Sequence, residues 1–137
     1  MILGKEHLPI WIPSEQHLAD LVESRAPVIR QLYLDTDVLV LETLPNVECS
    51  VDTDDAMIGY GAHQCAYDGW GMAALDAYTT RASLVFTRGV DLEDADGLLE
   101  GTGKKMRQVQ LRSLKACGER REALVRMIEA AARLAEE

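Results

Sequence analysis

Aromatic side chains are scarce in this chain: one Phe, two Trp and four Tyr among 137 residues. A core must therefore be assembled from Leu, Val, Ile, Ala and Met. Basic residues are also short, 14 against 23 acidic, for a net charge of −9. Such a field repels phosphate backbones and anionic lipid, so neither nucleic acid nor a membrane surface is expected as a partner. Long hydrophobic runs are missing; the longest aliphatic one, Val38 to Leu41, is far too short to span a bilayer. Cys49, Cys65 and Cys117 are far apart and form no CxxC pair, which excludes a zinc knuckle and a thioredoxin-type redox site. Three free thiols, and an opening interrupted by Lys5, Glu6 and His7, point to a cytoplasmic protein without a secretory leader.

What is present suits a single domain: ordinary length, 47% hydrophobic residues, no repeat and no Gly/Ser linker. Residues 1–13 form an apolar leader holding Leu3, Leu8, Ile10, Trp11 and Ile12, kept extended by Pro9 and Pro13. A domain over 14–137 follows. Ser14 is a plausible N-cap for a short helix with Leu18, Leu21 and Val22 on its apolar face. Pro27 suits the first turn of a second helix, whose stripe of Val28, Ile29, Leu32, Tyr33, Thr36, Leu39, Val40, Thr43 and Leu44 runs to Pro45. The β-branched run at 38–41 could read as a strand, but the continuing stripe predicts helix.

Beyond Pro45 the period changes to two. Val47, Cys49 and Val51 alternate with polar residues as a half-buried strand, and Met57 to Ala62 makes a second. Trp70 to Thr79 and Ala82 to Arg88 read as a third and fourth. After a long connection from Gly89 to Lys105, Val109 and Leu111 mark a fifth. An amphipathic terminal helix runs from Glu119 onward. Helices bracketing a run of strands predict an α+β fold, with an antiparallel sheet of about five strands and helices on one face.

Two apparent motifs fail. An EF-hand placed with its glycine at Gly97 needs acids where Leu92 and Gly103 stand. A P-loop ending at Gly103-Lys104 needs a glycine at Leu98 and a hydroxyl at Lys105. Gly101, Gly103, Lys104, Lys105 and Arg107 still concentrate amide N–H groups and positive charge, so a small anion or phosphometabolite is one expectation there. A tight loop whose cations pair with Asp91, Asp94 or Asp96 is the bland alternative. His63, Cys65 and Asp68 lack a third and fourth partner for a metal cage, and Cys117 beside Gly118 reads as a helix start. No nucleophile elbow or acid–base pair is encoded, so a non-enzymatic protein is expected.

Clustered carboxylates offer another reading. Asp35 and Glu42 share one helical face, with Asp37 near its edge; Glu48, Asp52, Asp54 and Asp55 follow on the first strand and its turn. Packed side by side, these would form an acidic ridge able to bind iron or calcium weakly. An ordinary solvated face accounts for the same pattern.

The stretch Phe86-Thr87-Arg88-Gly89-Val90-Asp91-Leu92 and the block Asp96-Gly97-Leu98-Leu99-Glu100-Gly101-Thr102-Gly103-Lys104-Lys105-Met106-Arg107 resemble the YdhG-like family of bacterial domains. The resemblance extends over residues 14–135. It implies a frataxin-like sandwich and, by analogy with one branch of the family, intracellular binding of Fe2+ and its delivery to an acceptor protein. The chain departs from the family in two places: Gln108 stands where relatives often carry His after the arginine, and Thr79-Thr80-Arg81 replaces a Pro-Lys turn. If that His binds a ligand, its loss would remove the function. No catalytic residue is carried over. The leader, with Trp11, gives a third expectation, a structural module that forms a homodimer through residues 1–13.

Overall fold

The computed structural model describes residues 15–47, 49–52, 56–61 and 71–135. Helix α1 spans Glu15–Leu21 and α2 spans Pro27–Thr43. Pro27 sits in the first turn of α2, where its missing N–H removes no hydrogen bond. The helix closes with Leu44 N donating to Val40 O at 2.8 Å, directly before Pro45. The apolar stripe thus prevails over β propensity at 38–41. Two hydroxyls that would otherwise compete with the helix bond back into it: Thr36 Oγ1 donates to Leu32 O (2.6 Å) and Thr43 Oγ1 to Leu39 O (2.7 Å).

Strands β1 (Cys49–Asp52), β2 (Met57–Tyr60), β3 (Ala73–Ala77), β4 (Ala82–Phe86) and β5 (Arg107–Leu111) form one antiparallel meander in the order β1-β2-β3-β4-β5. The fold is α+β, as the pattern predicts. Its third strand is shorter than the expected 70–79, with Gly71 adding only an isolated bridge to Tyr60.

Register sorts the sheet into two faces. Cys49 pairs with Tyr60, Ile58 with Leu75, Leu75 with Leu84 and Leu84 with Val109, so these side chains share one face. All are buried. They meet Ile29, Leu32, Tyr33 and Val40 of α2 in a common core. The other face carries Ser50, Ala74, Asp76 and Ser83. These are buried too, so the half-buried strand expected around Val47–Val51 is buried on both sides at Ser50.

The connection from β4 to β5 is held by identifiable bonds. A 3-10 turn at Gly89–Asp91 opens it. The Asp94 carboxylate then accepts from Leu98 N (2.8 Å) and Leu99 N (3.0 Å), steering Leu98 into the core. Glu100 and Gln108 exchange backbone bonds of 2.7 and 2.9 Å and cover part of the β5 edge.

A short helix absent from the sequence expectation follows: α3, Leu114–Glu119, capped by Ser113 Oγ accepting from Ala116 N at 3.1 Å. Cys117 therefore lies inside a helix, not at its start. Helix α4 (Arg121–Ala135) buries Leu124, Met127, Ile128 and Ala131 beside α2. Among the described residues, no helix is long and apolar enough to cross a membrane.

Candidate functional site

Helices α2, α3 and α4 do not close completely on one another. They leave an open groove of about 330 Å³, floored by Leu32, Leu39 and Leu124. Asp35 and Glu42 stand along its α2 side; Cys117, Gly118 and Arg121 face them from α3 and α4. Exposed Val38 and Leu114 extend its apolar surface to the rim. The shortness of α3 makes the opening, because six residues cannot cover the length of α2.

The charges on the groove are unequally compensated. Asp35 accepts a hydrogen bond from a neutral donor one turn earlier, Gln31 Nε2, at 2.6 Å. Glu42 faces Arg121 across the groove at 3.6 Å, an exposed pair that contributes little to stability. Burial raises the pKa of the Cys117 thiol; Arg120 pulls it back and Asp35 pushes it up again. The last effect puts the Asp35 charge within electrostatic reach of the thiol.

Of the seven acids expected on a ridge, Asp35 and Glu42 do share a surface. They stand seven residues apart, about 10 Å of rise along α2. Carboxylate oxygens bind a calcium-sized ion at about 2.3–2.6 Å, so the two cannot meet at one ion. Asp52 ends β1, paired with Met57 in the ladder. Glu48, Asp54 and Asp55 lie outside the described residues, as do His63, Cys65 and Asp68. Among the described residues, no three His, Cys, Asp or Glu side chains are gathered to hold a metal ion.

Asp37 departs from the expectation most clearly. It is buried within the core, not at the edge of an acidic face, and accepts the Tyr60 hydroxyl proton at 2.7 Å. Burial raises its pKa above the usual carboxylate value, and the Tyr60 bond only partly offsets this. Cys49, on the same face of the sheet, is pushed up to about 12 by burial and by Asp37. Burial, with the Asp37 and Asp76 charges, raises the pKa of Tyr33 as well, and its hydroxyl donates to Ala56 O at 2.7 Å. This set of polar groups fastens α2 to the sheet.

The Gly-Lys loop is exposed at Gly101, Gly103, Lys104 and Lys105. Arg107 Nη1 donates to Gly103 O (2.5 Å) and Met106 O (2.7 Å), so this cation neutralises the loop's own carbonyls. Val90 N donates to Lys105 O at 3.0 Å and ties the loop to the 3-10 turn. The acids proposed as partners for the loop pair elsewhere too: Asp91 with Arg88 at 3.4 Å, Asp96 with Arg126 at 3.1 Å.

One polar network had no counterpart in the sequence expectation. On the second sheet face, Tyr78 OH donates to Asp76 Oδ2 (3.3 Å), Arg81 Nε donates to Ser83 Oγ (3.4 Å), and the Arg81 guanidinium lies 4.5 Å from the centre of the Tyr78 ring. The alternation Asp76-x-Tyr78 and Arg81-x-Ser83 across the hairpin was the available signal. Compared with family models, curated proteins and solved structures, the chain has no match.

Proposed function

We propose that this protein is a non-catalytic, cytoplasmic, cation-binding domain of the YdhG-like type with a frataxin-like arrangement. Its binding site is the groove between α2 and the α3–α4 pair. The observation carrying this reading is the placement of Asp35 and Glu42 along one side of an open groove of about 330 Å³. A net charge of −9 adds a long-range field that draws cations toward it. Ferrous iron is the inorganic ion that the family resemblance implies, held weakly as cargo through exposed carboxylates and water and passed to an acceptor protein.

The anion reading at 101–107 receives less support, since Arg107 is engaged with backbone carbonyls. The dimer reading rests on residues 1–13, outside the described residues. Anaerobic calorimetric titration with ferrous iron, with magnesium as control, tests the cation reading. Expected is iron-preferring binding that Asp35→Asn/Glu42→Gln abolishes. An equal response to magnesium, or no heat at all, overturns the iron assignment.

A further inference from the structure

We infer that the ligand matched to this groove is a linear aliphatic diammonium, a polyamine-like molecule, lying along α2 with one charged end at Asp35 and the other at Glu42. The inference rests on the cation-binding groove proposed above and puts an organic dication there in place of the inorganic ion.

Three features of the groove converge on that class. The first is spacing: the carboxylates are about 10 Å apart along the helix, too far to share one metal ion but suited to two separate ammonium groups. The second is what lies between them. Thr36, Val38 and Leu39 occupy the interval on α2, the Thr36 hydroxyl is turned back to Leu32 O, and Leu114 and Leu124 also line the groove, so much of the path from one acid to the other is apolar. A hydrated inorganic ion gains nothing from that surface, whereas a methylene chain loses water-exposed area by lying on it. The third is charge. Among the described residues Asp35 is bonded by the neutral Gln31 amide and by no cation, and the Glu42–Arg121 pair is exposed and long, so an ammonium can compete for Glu42 at small cost. The volume suits one small linear ligand and not a folded partner.

Titrating the intact chain with diaminobutane, diaminooctane and octylamine, followed by amide chemical shifts, tests the assignment. Diaminooctane, whose ammonium groups span the interval, is expected to bind at least tenfold more tightly than either competitor. Diaminobutane is too short to reach both acids, and octylamine has one charge. Shifts should concentrate at 32–42 and 114–124. Asp35→Asn and Glu42→Gln should each reduce diaminooctane to the octylamine level. Arg121→Gln, which removes the cation competing for Glu42, should tighten it several-fold. All three changes are on exposed side chains, and an unchanged circular dichroism spectrum establishes that each variant folds. Equal affinity for all three amines, or shifts spread over every acidic surface, overturns the inference. Ferrous iron in the same assay separates the two levels. Iron binding lost in Asp35→Asn, without diamine selectivity, refutes the diammonium and leaves the cation site. Absence of both refutes the site itself.

Discussion

Tyr60, on β2, donates its hydroxyl proton to Asp37, on α2, across a 2.7 Å bond buried in the core. This bond joins helix to sheet at a carboxylate buried on the helix-covered side.

The folded-state pKa of Asp37 is raised above its ordinary value, so the native state binds the proton more tightly than the unfolded chain does. Stability contributed by this group is therefore greatest at low pH. It falls as pH rises from the ordinary carboxylate range through the raised folded value. Asp37→Asn removes the titration and keeps an acceptor for Tyr60. Thermal melts of both proteins should show the variant gaining on the wild type with rising pH and then levelling off. A pH-independent difference would contradict the assignment. Tyr60→Phe, which leaves the carboxylate without its donor, should cost about 1–3 kcal/mol at neutral pH.

Cys49 and Cys117 should differ sharply in reactivity. Cys49 is buried with its pKa near 12, whereas Cys117 is half-buried beside an open groove. Iodoacetamide followed by peptide mass spectrometry should label Cys117 first, with a rate that climbs with pH, and Cys49 only on unfolding. Comparable labelling of both in the native protein would refute this contrast.

Two glycines should respond to alanine in opposite directions. A Cβ on Gly89 would collide with the Cβ of Arg107 and lie 2.6 Å from its amide nitrogen, forcing the turn away from β5. Gly89→Ala should destabilise by about 1–3 kcal/mol, an overpacking cost. Gly118 lies in α3 with nothing within 4 Å of its added Cβ. Gly118→Ala should stabilise by up to about 1 kcal/mol through helix propensity. Denaturant unfolding of both variants measures the contrast, and a loss at Gly118 would show that α3 depends on backbone freedom there.

Arg107 is assigned to closing its loop. Arg107→Ala should speed proteolysis within 100–106 and cost about 0.5–1.5 kcal/mol, the usual net value of a hydrogen bond. Lys104→Ala, an exposed change, should leave stability within about 0.5 kcal/mol. Limited proteolysis of the two variants under identical conditions tests the difference; equal cleavage rates would contradict a structural role for Arg107.

Local order was largely legible because it follows from local periodicity. Pro27, Pro45 and the stripe between them bound α2 correctly, and alternation located Cys49 and Val51, Val109 and Leu111 on the inward face. The short α3 escaped because six residues give barely more than one turn of periodicity to read. Its signal was the Ser113 cap, a weaker cue than a hydrophobic stripe.

The sequence by itself determined the element types, the strongly acidic field, and the placement of Asp35 and Glu42 on one helical face. Only the tertiary structure decided which acids face water. Asp35 and Asp37 are two residues apart, about 200° around the helix, yet both read as members of an acidic surface. One became a groove carboxylate and the other a core carboxylate, because Tyr60 arrives from 23 residues away with a buried donor. The groove has the same origin. It forms between helices from opposite ends of the chain, where a short α3 fails to cover α2, and a gap in packing has no sequence period to announce it.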